Sequence, residues 1–121
     1  MATNYRQAIS KAFNSTLEVL KVVAGHDCTG IGDGVKVVAN AGTDVALATS
    51  TAAKAVMIQA QTDNTSAIAV GASGVDATVA TGTGILLYAG EWTPWIPIDN
   101  LVDVYIDSLV SGEGVRYIYL T

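Results

Sequence analysis

Turn-forming residues divide most of this chain into short segments, and this punctuation limits what the chain can fold into. From residue 35 onward, glycine, asparagine, aspartate and serine recur roughly every 8 to 12 residues, and the segments between them are rich in valine, isoleucine and alanine. Residues 53–61, AKAVMIQAQ, alternate Val56, Ile58 and Ala60 with longer or polar side chains. Because alternate strand residues point to opposite faces, such segments predict short strands with one buried face. Several of them in succession are typical of a sandwich or a barrel.

The composition agrees with a single β-rich domain. Half of the 121 residues are hydrophobic and only 14% are charged, which gives a chain of this length enough apolar surface for a core of its own. Two prolines are few for a loop-rich protein. We therefore predict an all-β fold, an antiparallel β-sandwich of jelly-roll-like type. Residues 15–121 are predicted to form this single domain, and residues 1–14 to form an N-terminal arm or short helix.

Two patterns precede the regular part of the chain. In residues 1–14, Ile9 and Phe13 share one helical stripe beside the basic Arg6. This fits either a short helix that docks on the domain or an arm that binds a partner, and we expect these three side chains to make protein contacts. Residues 15–25 indicate a strand in preference to a continued helix, since β-branched residues cluster there.

Charge and hydropathy exclude several kinds of partner. The net charge of −5 at pH 7 argues against nucleic acid as the main ligand. The N-terminus lacks the basic start and apolar run of a signal peptide, and no stretch approaches the ~20 apolar residues of a membrane span. We expect a protein that is made in the cytoplasm and binds neither nucleic acid nor membrane.

Residues that could support catalysis or metal binding are scarce. His26 is the sole histidine, and its neighbours Asp27 and Cys28 do not complete a catalytic or metal-ligand spacing. The GIGDG motif at 30–34 lacks the context of a phosphate loop and predicts a tight turn. Asp103 and Asp107 would share a solvated strand face, roughly 13 Å apart, too far for glycosidase carboxylates. We predict no enzyme activity, catalytic residue, metal or cofactor.

The last segment, GVRYIYLT, is apolar on both of its strand faces. Ile118 and Leu120 are expected to fill the core. The opposite face would then present Val115, Tyr117 and Tyr119 to the outside, together with Tyr105 of an earlier strand. Tyrosine offers apolar area with a polar tip, so this face predicts a protein interface. Alternatively, the N-terminal helix covers it with Ile9 and Phe13.

The segment EWTPWIPID is the most distinctive one in the chain. Pro94 and Pro97 each lack an N–H group, which confines the segment to a sheet edge or a bulge. Trp92 and Trp95 are three residues apart and would face opposite sides of a regular strand. Three roles remain open for them: one ring closes the end of the sandwich, or the rings contact a protein, or they stack on a sugar.

Several segments resemble small β-sandwich virion proteins of tailed bacteriophages. The resemblance rests on TDNTSAIAVG with its NT turn, on GILLYAGE, on IDNL, on the VY strand and on the terminal GEGVRYIY. The opening NYRQAISKAFNSTLEVLKVVAG is also similar to the start of such proteins. The segment WTPWIP departs from the pattern, where a plainer strand would be expected.

That resemblance implies a structural function in a phage virion. The expected role is a capsid decoration (auxiliary) protein, or a related head or tail component, that binds the assembled head and stabilises it. Its partners would be the major capsid protein or other virion proteins, and we expect a homo-oligomer, either a dimer or a trimer. The alternative is a carbohydrate-binding β-sandwich module of a fibre or tail that uses Trp92 or Trp95.

Overall fold

The alternating segments form eight β-strands in the computed structural model of the protein, which describes residues 27–121. The strands are β1 (Ile31–Val37), β2 (Val45–Ala46), β3 (Ala55–Ala60), β4 (Ile68–Gly71), β5 (Ile85–Leu87), β6 (Ile96–Pro97), β7 (Tyr105–Ser108) and β8 (Gly114–Leu120). A 3₁₀ turn at Leu101–Asp103 precedes β7. The predictions for residues 1–14, which include Arg6, Ile9 and Phe13, and for the strand at 15–25 lie outside the described residues.

The strands form two four-stranded sheets with antiparallel pairing throughout. The first sheet has the order β1-β8-β3-β6 and the second has the order β2-β7-β4-β5. Val56 and Ile58 of the first sheet share one fully buried core with Ile68 and Ile106 of the second. The all-β sandwich prediction is therefore confirmed, whereas the strand order does not establish a jelly roll.

The predicted faces of β8 were wrong. Val115 is fully buried, and Tyr117 and Tyr119 pack against the core. Ile118, which we expected in the core, is exposed on the outer side of the first sheet. The segment is apolar on both faces, so its alternation alone could not show which face is inward.

Glycines of β1 explain why the tyrosines point inward. The GIGDG motif at 30–34 does not form the predicted tight turn, because four of its five residues, 31–34, belong to β1. Gly32 is paired with Tyr119 and Gly34 with Tyr117. A Cβ atom on either glycine would lie 2.3 Å from an atom of the paired tyrosine. The rings therefore occupy the core-side space that side chains of β1 would otherwise fill, as in aromatic rescue of edge glycines.

The outer face of the second sheet is covered by residues 72–84, which connect β4 to β5. Val75 and Ala77 of this connection are buried against Ala69, with Leu86 and Tyr105 partly buried beside them. Tyr105 therefore faces the chain's own connection, and its prediction as an outward-facing residue was wrong.

The prediction for Asp107, on the same sheet, was also wrong. Asp107 was expected on a solvated face, but only 1% of its surface is exposed, because residues 72–84 lie over it. Its Oδ2 atom accepts a hydrogen bond of 2.9 Å from the backbone N–H of Ala77. Within residues 27–121, its buried Oδ1 atom has no hydrogen-bond partner.

Two of the sequence motifs hold turns against one another. Asn64 donates through Nδ2 to the carbonyl of Gly114 and accepts from the Gly114 N–H through Oδ1. The carboxylate of Glu113 accepts from the N–H and hydroxyl of Thr65 and from the N–H of Ser66. The NT turn and the GEG turn are thus joined by hydrogen bonds from side chains to backbone groups.

Candidate functional site

The outer side of the first sheet presents an apolar surface where a wet face would be polar. Strand register places Ile118 beside Met57 of β3, and β1 adds Ile31 and Val35 at the edge. Ile31 is 70% exposed, Val35 56% and Trp92 65%. We call these five residues, Ile31, Val35, Met57, Trp92 and Ile118, the outer apolar face. Contiguous exposed apolar side chains of this kind are typical of surfaces that bind a partner.

A groove of about 460 Å³ crosses the outer apolar face from β1 to Trp92. Val35, Met57 and Ile118 supply its apolar lining. The groove also contains three polar groups, which are the carboxylate of Asp33, the amide of Gln59 and the guanidinium of Arg116. The groove can therefore combine apolar contact with a small number of directed hydrogen bonds.

Trp92 is held in place by backbone pairing on both sides. It forms a β-bridge with Gln59. The next residue, Thr93, donates its N–H to the carbonyl of Ile58 and accepts the Ile58 N–H through its hydroxyl, at 2.8 and 3.0 Å. On the other side of Trp92, the carbonyl of Glu91 accepts a hydrogen bond from the N–H of Ala60. The indole is thus attached to a fixed point of the sheet, which suits a binding residue.

The two tryptophans share the outer side because the segment contains an extra residue. Trp92 is opposite Gln59 and Ile96 is opposite Val56, so four steps on this segment match three steps on β3. This is the arrangement of a β-bulge. Ile96 packs against the core, so alternation turns Trp95 outward, where it is 40% exposed. Neither indole is buried as a plug of the sandwich.

The prolines of this segment have the predicted location. β6 is the edge strand of the first sheet, and Pro97 pairs with Ala55 there. Pro94 lies within the bulge. Both prolines therefore occupy positions where the sheet does not need their missing N–H groups, which confirms the prediction of an edge or a bulge.

Tyr117, which packs against the core, borders the groove from the core side of the sheet. Burial raises the pKa of Tyr117, and the neighbouring Tyr119 and Asp33 raise it further through their negative charges. The two tyrosine rings lie with centroids 6.2 Å apart and tilted by 33°.

The structure brings together only part of the predicted interface. Trp92 lies on the outer apolar face and Trp95 points to the same side. Val115, Tyr117 and Tyr119 lie on the opposite side of the sheet, and Tyr105 belongs to the other sheet. Sequence reasoning missed Ile31, Val35, Met57 and Ile118. Alternation in residues 31–37 carried the signal, since Ile31, Val35 and Val37 share one parity, but the three glycines near them indicated a turn.

Residues considered for chemistry lie apart from the groove. Asp103 is exposed, whereas Asp107 is buried beneath residues 72–84, so the two carboxylates do not form a pair. Cys28 is a half-buried free thiol. Between residues 27 and 121, no group of three or more His, Cys, Asp or Glu side chains is placed to hold a metal ion. In the same range, no helix is long and apolar enough to cross a membrane.

Comparisons with known proteins identify no relative of this chain. No family model, no curated protein and no solved structure matches it. The resemblance to phage virion proteins therefore stays a prediction from short motifs, and the function has to be proposed from the surface that the fold exposes.

Proposed function

We propose that the protein is a structural component of a phage virion, a capsid decoration protein that binds the assembled head and stabilises it through protein–protein contacts. The observation that supports this is the outer apolar face, which is fixed on a rigid sheet and exposed. Its partner would be the major capsid protein or another virion protein. The motif resemblance gives the biological setting, and the geometry gives the surface.

Apolar burial would supply most of the binding free energy. Each Å² of apolar surface removed from water contributes roughly 25 cal/mol, and Ile31, Val35 and Trp92 are mostly exposed before binding. Tryptophan is among the residues that contribute most to interfaces when it enters a partner's pocket. Trp92 at one end of the groove is the expected anchor.

Charge contributes less on this surface. Asp33 and Arg116 have opposite signs and both line the groove, so the face attracts neither an acidic nor a basic partner as a whole. The basic Arg6 in residues 1–14 would offset the repulsion between an acidic chain and an acidic capsid surface. We therefore expect added salt to weaken attachment only in part, since apolar contact is not screened.

Attachment to particles tests this proposal. Purified wild type, Ile118→Asp and Val79→Asp would be mixed with phage heads assembled from the capsid protein encoded with this chain, and then sedimented. Val79 is the matched control, because it is 66% exposed but lies in the connection over the other sheet. We expect Ile118→Asp to lose at least roughly tenfold in affinity, as an interfacial carboxylate would be desolvated, while Val79→Asp binds normally. Equal binding by all three proteins, or no binding by wild type, would refute it.

Carbohydrate binding is the second candidate, and the groove favours it. The indole of Trp92 offers a face for stacking on a sugar ring, and Gln59, Arg116 and Asp33 offer hydrogen bonds nearby. A glycan array would be probed with wild type, Trp92→Ala and Trp95→Ala. A sugar ligand of the groove predicts binding that is lost in Trp92→Ala and retained in Trp95→Ala, which does not line the groove. Absence of any wild-type signal would remove this candidate.

A further inference from the structure

The four sheet edges of this sandwich differ in length. The edge strands β2, β5 and β6 contain two, three and two residues, and β6 includes Pro97. The fourth edge strand, β1, contains seven residues. Short edges and prolines are the usual protection of a sheet against pairing with another chain. Among the edges in residues 27–121, β1 alone is long and free of proline, although it carries two charged residues, Asp33 and Lys36.

The outer edge of β1 offers backbone groups for a full ladder. Gly30 and Thr121 exchange both backbone hydrogen bonds, and Val38 donates to Glu113, at the two ends of the β1–β8 pair. In an antiparallel ladder such pairs alternate, so the even-numbered residues of β1 bond to β8. The N–H and C=O groups of the odd-numbered residues from Ile31 to Val37 point away from β8, and no described segment pairs with them.

We propose that β1 pairs antiparallel with β1 of a second copy of the chain, about a two-fold axis at Gly34. This register pairs the whole strand, because Gly34 is its middle residue. The two sheets would then join into one eight-stranded sheet. A two-fold contact of this kind is the commonest closed form of a homo-oligomer, and strand addition at a sheet edge is an established mode of association.

Side chains of β1 favour this register for a second copy. Ile31 faces Val37 of the second copy, which places two exposed apolar side chains side by side. Lys36, on the core side, faces Gly32 of the second copy, which has no Cβ and is covered by the ring of Tyr119. Asp33 faces Val35 of the second copy, whereas a register centred on Asp33 would set two carboxylates directly opposite one another.

The dimer would also extend the outer apolar face. Each copy contributes Ile31 and Val35 next to the axis, so the two exposed faces become continuous across the joined sheet. The inference does not depend on the virion function, since self-pairing is measured on the purified protein alone.

A proline at position 35 tests the pairing. The N–H of Val35 points away from β8, so Val35→Pro removes two hydrogen bonds from the dimer and none from the β1–β8 ladder. Val35→Thr is the matched control, because threonine keeps the N–H and favours strands. By sedimentation equilibrium on the full chain, we expect a dimer for wild type and for Val35→Thr, and a dimer dissociation constant at least roughly tenfold higher for Val35→Pro. A monomeric wild type, or equal dissociation constants for both variants, would overturn the proposal.

Cross-linking tests the same pairing without relying on a proline variant that folds. In a Cys28→Ser background, Asp33→Cys and Val35→Cys chains would be oxidised separately and as a mixture. Paired residues that exchange hydrogen bonds have Cα atoms about 5.5 Å apart, which suits a disulfide. We expect a cross-linked dimer from the mixture only. Dimers from Val35→Cys alone would overturn the Gly34-centred register, and no cross-link in any sample would overturn the pairing.

Discussion

Gly34 of β1 lies directly against the ring of Tyr117 of β8, and a Cβ atom at position 34 would stand 2.3 Å from the tyrosine hydroxyl oxygen. Gly34→Ala must therefore displace the ring or bend β1. We expect the variant to lose about 1–3 kcal/mol of folding free energy, the usual cost of overpacking. Urea denaturation measures the loss.

A double-mutant cycle shows whether the ring is the cause. In a Tyr117→Leu background the contact is absent, so Gly34→Ala should cost much less than in wild type. Equal costs in both backgrounds would mean that alanine disturbs the strand for a reason other than the ring.

Two neighbouring residues of β8, Tyr117 and Ile118, face opposite sides of the sheet, so the same substitution should affect stability differently at each. Tyr117→Asp places a carboxylate against the core and should destabilise the domain by about 3 kcal/mol or more. Ile118→Asp lies on the outer apolar face and should leave the melting temperature nearly unchanged. Thermal unfolding followed by circular dichroism decides between them. If both variants melt alike, the inward face of β8 has been assigned wrongly.

The β3, β4 and β7 segments show how far the sequence predicts this fold. Val56, Ile58 and Ile68 were expected inside and are fully buried. They were predictable because each differs in size or polarity from the residues next to it in the strand. The end of β8 lacks such contrast, since Tyr117 and Ile118 both favour burial. Its orientation depends on the glycines of β1, which are distant in sequence and come together with it only in the sheet.

The candidate site was predictable only at its tryptophan. Trp92 is conspicuous in the sequence, and Pro94 beside it restricts the segment to an edge or a bulge. Alternation in residues 53–61 predicts that Met57 points outward, as it does, but not that it belongs to an interface. Val35 looks like an ordinary core residue of a strand, so its exposure follows only from knowing which face of the first sheet is inward. The burial of Asp107 was unpredictable for a similar reason, because a connection 30 residues away covers it.

The hydrogen bond from Ala77 to Asp107 should control how firmly residues 72–84 lie on the second sheet. Asp107→Ala removes the acceptor and leaves the buried N–H of Ala77 unpaired, which costs about 1–3 kcal/mol. Asp107→Asn is the control, because its side-chain oxygen can still accept this hydrogen bond. Limited proteolysis followed by mass spectrometry should show faster cleavage within 72–84 for the alanine variant only. Cleavage of both variants at the wild-type rate would show that other contacts, such as Asp44 with Gly74, hold the segment by themselves.

The carboxylate of Glu113 should make the domain sensitive to acid. Burial by itself raises the pKa of Glu113, but hydrogen bonds from the Thr65 hydroxyl, the Thr65 N–H and the Ser66 N–H together outweigh burial and hold this pKa below its ordinary value of 4.5. A carboxyl group whose pKa is lower in the folded state stabilises the fold fully above its unfolded pKa. That stability is lost as the pH falls from about 4.5 through the folded pKa.

Comparing wild type with Glu113→Gln between pH 7 and pH 3 measures this contribution. At pH 7 the variant should be less stable by about 1–3 kcal/mol, since glutamine presents a donor to the N–H of Ser66 and leaves it unpaired. The difference should narrow below pH 4.5 as wild type takes up a proton. Asp76, whose pKa is lowered by its hydrogen bonds to Thr78, is present in both proteins and does not alter the difference in stability between them.

Glu91→Gln is the matched control, because the side chain of Glu91 is exposed and accepts a single hydrogen bond, from the N–H of Tyr88. Its effect on stability should therefore be smaller. A stability difference for Glu113→Gln that stays constant down to pH 3 would show that the bonds from Thr65 and Ser66 do not depend on the charge of Glu113.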